Sequence, residues 1–105
     1  MTYRVIFDPD AEQDLEELGD WIADAASVEV AVRYLERLRA FCLRLDIFPK
    51  RGTGRDDLYP GLRTVGFERR ALIAFLVGED TVSILRILYG GRDAEAHLRD
   101  TFEDD

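Results

Sequence analysis

The sequence predicts an α+β fold of β-α-α-β-β-β order, an antiparallel sheet covered by a two-helix hairpin and followed by a short C-terminal helix. Three observations carry that expectation. Residues 8–48 hold two consecutive apolar stripes at helical spacing. Residues 71–77 and 81–89 are nearly unbroken apolar runs separated by Gly78-Glu79-Asp80. The stretch from Pro49 to Arg92, which contains both runs, sets arginines at strand borders: Arg63, Arg69, Arg70, Arg86 and Arg92.

Taken in order, Tyr3–Phe7 is short, β-branched and aromatic, as a strand requires. Asp8-Pro9-Asp10 supplies an N-cap carboxylate, a proline at the first helical position and an acid in the first turn. Ala11, Leu15, Leu18, Ile22 and Ala25 then form one helical stripe, with acids over the remaining surface. Trp21 either borders that stripe or stands partly exposed. Gly19 inside the helix costs about 1 kcal/mol against alanine. Ser27 is the expected N-cap of a second helix, whose stripe is Ala31, Leu35, Leu38, Cys42 and Leu45, widened by Tyr34, Phe41 and Phe48. Pro49 ends it. The short link at Ala26 predicts an antiparallel hairpin.

Residues 51–61 have no period and read as a loop closing on the turn Tyr59-Pro60-Gly61. Strands are expected over Leu62–Phe67, with a bulge at Gly66, over Ala71–Val77 and over Thr81–Tyr89. Gly90-Gly91 ends the last strand, Asp93 caps a short helix through Leu98 or Arg99, and the TFEDD tail is expected to fray.

A chain of 105 residues with 47% apolar composition suits a single domain, residues 1–105, with one core. No run approaches the roughly 18–20 apolar residues of a membrane span. The N-terminus turns acidic at once and lacks a cleavage site, and Cys42 is the only cysteine, which points to a reducing cytoplasm. The net charge of −8 is unevenly spread. Residues 1–26 set Arg4 against eight acids and residues 93–105 set Arg99 against six, whereas residues 27–51 hold six bases against three acids. A strongly acidic chain is a poor partner for a phosphate backbone, so non-specific nucleic-acid binding is disfavoured.

The residues offer little catalytic chemistry. One histidine and one cysteine make no ordinary metal site, and Cys42 lies in a helix stripe as a small core residue. Acidic neighbours such as Glu16-Glu17 and Asp56-Asp57 read as solvated charges. Gly52-x-Gly54 lacks the spacing of a phosphate loop. Neither a cofactor nor a catalytic residue is assigned. Arg86 stands apart, because it sits between Leu85 and Ile87 in an apolar strand. It either pairs with a carboxylate of the fold or lines a groove that awaits an acidic partner.

Three groups of residues carry a family resemblance: Pro49-x-x-Gly52, Asp57-Leu58-x-Pro60-Gly61-Leu62-Arg63, and Ile84-Leu85-Arg86-Ile87-Leu88-Tyr89-Gly90-x-Arg92-Asp93. With a closing Ala-His-Leu and the element order above, the sequence resembles the ParE toxins of the RelE/ParE superfamily over nearly its whole length. The resemblance implies a RelE/ParE-like fold. Its RelE branch, of ribosome-dependent mRNA endonucleases, uses basic and tyrosine residues on the sheet face. Arg63 and Arg92 match two of those positions, but Val65, Leu72 and Leu98 stand where a lysine, an arginine and a tyrosine are required. The ParE branch implies a non-hydrolytic poison of DNA gyrase, active in plasmid or chromosome maintenance. It is neutralised by a ParD-like antitoxin in a heterotetramer or larger assembly. On that reading Arg63, Arg69, Arg70, Arg86, Tyr89, Arg92 and His97 are expected to bind partners. The remaining alternative is a toxin-fold interaction module without activity.

Overall fold

Pro9 decides where the first strand stops, and much of the architecture follows from that. In the computed structural model, which describes residues 2–90 and 93–102, β1 (Arg4–Phe7) gives way within two residues to α1 (Pro9–Ala25). Asp8 occupies the N-cap, yet its carboxylate makes no capping hydrogen bond, contrary to expectation. Its N–H is instead the last rung of the sheet, donating to Ile84 O at 2.9 Å, while its carbonyl accepts from Glu12 N at 3.0 Å. One residue thus closes the strand and opens the helix.

Ser27 caps α2 (Val28–Leu43) as predicted, its Oγ accepting from Val30 N at 3.1 Å. The two helices lie antiparallel. They approach closely at Gly19, where a Cβ would come within 2.8 Å of Leu35 Cδ1, so the glycine serves packing at the cost of helix propensity. Glu12 and Arg39 pair across the hairpin at 2.7 Å. The stripes are buried at Ala11, Leu15, Leu18, Ile22, Ala31, Tyr34, Leu38, Cys42 and Leu45, with Leu35 and Phe41 half-buried. Two expected members fail. Ala25 is exposed at the end of α1. Phe48 is 80% exposed, because the chain leaves the 3-10 turn Arg44–Asp46 through a positive φ of 55° at that residue and swings the ring outward.

The sheet has five strands in the order β1-β5-β4-β3-β2, formed by β2 (Thr53–Gly54), β3 (Arg63–Phe67), β4 (Ala71–Val77) and β5 (Thr81–Tyr89). β1 runs parallel to β5, and the other pairs are antiparallel. β5 is therefore interior, which explains its apolar character. The short β2 within the residue 51–61 loop was not foreseen. Gly52 permits it: at φ 78°, a Cβ there would lie 2.2 Å from Thr64 O.

No bulge forms at Gly66, which pairs in register with Leu72. The irregularity is in β5 instead. Ala74 faces Arg86 and Phe75 faces Ile84, leaving Leu85 as an extra residue. Both faces of the sheet are covered. The α1–α2 hairpin packs with Phe67, Ile73, Phe75, Val82, Ile84 and Ile87. On the other side, α3 (Asp93–Phe102) buries Ala94 and Leu98 against Leu58, Leu62, Ala74 and Leu88. This last helix runs beyond Arg99, taking Thr101 and Phe102 from the expected tail, and residues 103–105 lie outside the described part.

Leu38 is fully buried in the helix–sheet core. Leu38→Ala is expected to lower unfolding stability by about 2–5 kcal/mol, measured by urea denaturation.

Candidate partner-binding groove

β5 continues past the end of β1, so its outer edge is left without a neighbouring strand. Edge amides in that position need another acceptor. Asp14 of α1 supplies one: its Oδ2 accepts from Ile87 N at 2.8 Å. The same carboxylate takes the guanidinium fork of Arg86, with Nε to Oδ2 at 2.7 Å and Nη2 to Oδ1 at 2.8 Å. Asp14's side chain is 9% exposed and that of Arg86 is 29% exposed, so this tie is largely shielded from water. Of the two environments left open for Arg86, the fold supplies the first. The carboxylate hydrogen bond also holds the Arg86 proton more firmly than in a free arginine.

This tie forms one wall of a groove of about 610 Å³, bounded by α1, the free edge of β5 and α3. Leu18 and Trp21 from α1, with Ile87, Leu88 and Tyr89 from β5, make its apolar floor. Trp21 is 55% exposed and stacks at a tilt on Tyr89, with ring centroids 5.5 Å apart. Arg70, from the β3–β4 turn, and His97, Asp100 and Thr101, from α3, complete the rim with Glu17. α3 is held in place by buried Leu98 and by Arg55, which bonds Glu95 at 2.8 Å and Asp57 at 3.1 Å. The Arg55 hydrogen bonds keep both carboxyls below their usual range.

On the other side of the Trp21–Tyr89 pair lies a second concavity of about 360 Å³, between the end of α1 and the start of α2, lined also by Val30, Arg33, Tyr34 and Arg37. Tyr34 is wedged between Phe67 and Tyr89, at centroid distances of 5.6 and 5.9 Å. Among the described residues its buried hydroxyl has no hydrogen-bond partner. Burial first, and the nearby Tyr89 second, push its pKa up to about 12. Arg37 lies over the Tyr34 ring at 5.5 Å and is paired with Glu68 at 2.8 Å.

The seven arginine, tyrosine and histidine candidates therefore do not form one cluster. Arg70, Arg86, Tyr89 and His97 converge on the groove. Arg63 sits in β3 near the opposite sheet edge, with Nε donating to Arg51 O at 3.0 Å. Arg69 is exposed in the β3–β4 turn at φ 66°. Arg92 lies outside the described residues. The positions compared with the nuclease set are also divided: Val65 packs on the hairpin side, whereas Leu72 packs on the α3 side and Leu98 belongs to α3 itself. Asp14, Trp21 and Tyr34 were not foreseen as site residues. Asp14 did carry a signal, because it stands three residues after Ala11 and four before Leu18, a carboxylate inside the buried stripe.

The fold has counterparts among solved structures. The fold is similar to a solved chain of the chromosomal ParDE toxin–antitoxin system from P. aeruginosa, with a TM-score of 0.75, 24% identity, and coverage of 85% of this chain and 97% of that one. It is also similar to a chain of the toxin–antitoxin complex RelBE2 from Mycobacterium tuberculosis, with a TM-score of 0.65, 22% identity, and coverage of 87% and 94%. These likenesses define a RelE/ParE-type toxin fold. In sequence, residues 5–94 match the family described as the ParE toxin of the type II toxin–antitoxin system, parDE. Toxin ParE3 of Caulobacter vibrioides is 38% identical over 95 residues, spanning 90% of this chain and 94% of its own. Toxin ParE1 of Mycobacterium tuberculosis is 30% identical over 98 residues, spanning 93% and 100%. The chain belongs to the ParE family of type II toxins.

Asp14→Ala is expected to cost about 2–4 kcal/mol, because it strands a shielded guanidinium and an edge amide together. In urea titrations, the Asp14→Ala/Arg86→Ala double variant should lose less than the sum of the single losses. Cys42 is fully buried, and burial pushes its thiol up to about 12. Maleimide labelling at pH 8 should therefore be very slow in the native protein and fast in denaturant, since the thiolate is the reactive form.

Proposed function

We propose that this ParE-family toxin is held inactive by a ParD-like antitoxin and, once released, inhibits DNA gyrase. The observation that carries the antitoxin half is the open groove at the β5 edge, with its exposed Trp21 on an apolar floor and basic residues beside it. An exposed aromatic on a concave apolar surface is what a protein partner buries. The P. aeruginosa neighbour comes from a ParDE toxin–antitoxin system and the RelBE2 neighbour from a toxin–antitoxin complex, which supports the same kind of partner here. On this reading Arg70, Tyr89 and His97 touch the antitoxin and Arg86 holds the wall. Arg63 and Arg69 meet acids of the antitoxin elsewhere, and Arg92 also meets an antitoxin acid.

Gyrase is proposed as the target from membership of the ParE family. The absence of the nuclease side chains at Val65, Leu72 and Leu98 favours it over a ribosome-dependent endonuclease. Induction of the protein alone is expected to arrest growth, and the purified protein to inhibit supercoiling by gyrase, with co-expression of the adjacent gene's product restoring both. Normal growth with unimpaired supercoiling would discard the gyrase reading. Cleavage of mRNA in a translation extract would replace it with the nuclease.

A further inference from the structure

The segment that leaves α2 holds a strained residue where a relaxed one would serve the fold better. Phe48 is 80% exposed and sits at φ 55°, a left-handed value that bulky residues rarely adopt. Glycine would be relaxed there and would leave no ring in water. Strain of this kind persists only where the surroundings hold it. Here two arginines do so. The Arg51 guanidinium donates to both carbonyls at the kink, from Nε to Phe48 O at 3.0 Å and from Nη2 to Ile47 O at 2.8 Å. Arg63, in β3, in turn donates from Nε to Arg51 O at 3.0 Å. The fold thus fixes an aromatic ring in solvent.

The ring does not stand alone. With Tyr3, Ile47, Pro49 and Lys50 it lines a concavity of about 440 Å³. Its rim is basic: residues 44–51 hold Arg44, Lys50 and Arg51 against Asp46 alone, on a chain of net charge −8. Among the described residues, none of these three bases makes an ion pair within 4 Å. The face is also remote from the groove. Tyr3 N donates to Asp46 O at 2.8 Å and Arg4 N to Asp80 O at 2.9 Å, which sets the Phe48 segment beside the start of β1 and of β5. The groove lies at the other end of β5, about 25 Å away along its nine residues.

We propose that Phe48 is the anchor through which this toxin holds its target, entering an apolar pocket rimmed by carboxylates on the gyrase surface. An exposed aromatic beside arginine has the composition of an interface hot spot, and Arg44, Lys50 and Arg51 select an acidic rim. A second copy docked about a two-fold axis would set the same bases against one another. A nucleic acid would meet a chain whose overall charge of −8 repels phosphate. An acidic protein surface meets neither obstacle. This inference rests on the gyrase reading above and adds the face that makes the contact, with Arg51 acting as a positioning residue for the ring.

The test uses the whole toxin, purified gyrase and the purified product of the adjacent gene. Phe48→Gly is expected to weaken gyrase binding and inhibition of supercoiling about thirtyfold, the worth of a hot-spot side chain. It should leave the urea midpoint of the free toxin unchanged or higher, because the left-handed φ suits glycine, and antitoxin affinity unchanged. Loss of the target with stability kept separates a binding role from a structural one. Arg51→Lys keeps the charge but not the two-pronged hold on the carbonyls, so it should weaken inhibition as well. The Arg44→Glu/Lys50→Glu double variant should do so by reversing the rim. Wild-type inhibition by Phe48→Gly would overturn the inference while leaving the gyrase reading intact. So would a Phe48→Gly defect in antitoxin binding, in self-association by light scattering, or in DNA binding without gyrase, each of which would assign the face to that partner instead. A wild type that leaves gyrase fully active would remove the gyrase reading, and the inference with it.

Discussion

Asp14 is the residue on which the rest of the site depends. Because Pro9 forces the chain into a helix, β1 cannot accompany β5 to its end, and an edge amide is left inside the fold. A carboxylate in the second turn of α1 meets that amide and a guanidinium at once. The helix is thereby pinned to the strand near its middle. Leu15 and Leu18, beside and one turn beyond Asp14, then sit in the core with Ile84 and Ile87. Trp21 falls two turns along, over Tyr89. The groove is a consequence of this tie, since α1 stands over the strand edge without a further strand to fill the gap.

The extra residue at Leu85 is the complement of that tie. Before it, Val82 and Ile84 face the helix hairpin; after it, Ile87 and Tyr89 do. Strict alternation without the bulge would turn Arg86 and Leu88 toward the hairpin and Ile87 and Tyr89 toward α3. Leu88 packs instead with Leu62, Ala74 and Leu98, and Arg86 reaches around the free edge to α1. Bulges bend and re-aim strands in this manner beside functional surfaces. Here one residue sets which side of the sheet each of the last four side chains serves.

Much of the fold was legible because its signals are local. The helix stripes, the Ser27 cap, Pro9, Pro49 and the Gly78-Glu79-Asp80 turn each act within a few residues, and the elements fall where they direct. Features fixed by contacts distant in sequence were less legible. The bulge was assigned to Gly66, the residue permissive of one, but the ladder breaks at Leu85, where the tie between Asp14 and Arg86–Ile87 holds the strand edge. Phe48 fits the second stripe by count, yet a positive φ turns it out. The site was legible only in its vocabulary. Arg70, Arg86, Tyr89 and His97 do meet, but the organising carboxylate lies 72 residues from Arg86 in sequence, and nothing local announces that pairing.

The arginines that dominate the sequence also divide by role once their partners are known. Arg37, Arg39, Arg55 and Arg86 are matched by carboxylates within the fold. The exposed pairs, Arg37–Glu68 and Arg39–Glu12, contribute only about 0–1 kcal/mol each, so they say little about stability or affinity. A partner that simply offered acids would find few unmatched cations in the groove, and it would meet Glu17 and Asp100 at one end. On the proposed antitoxin reading, association draws on the apolar floor, where burying a large side chain contributes about 1.5–3 kcal/mol.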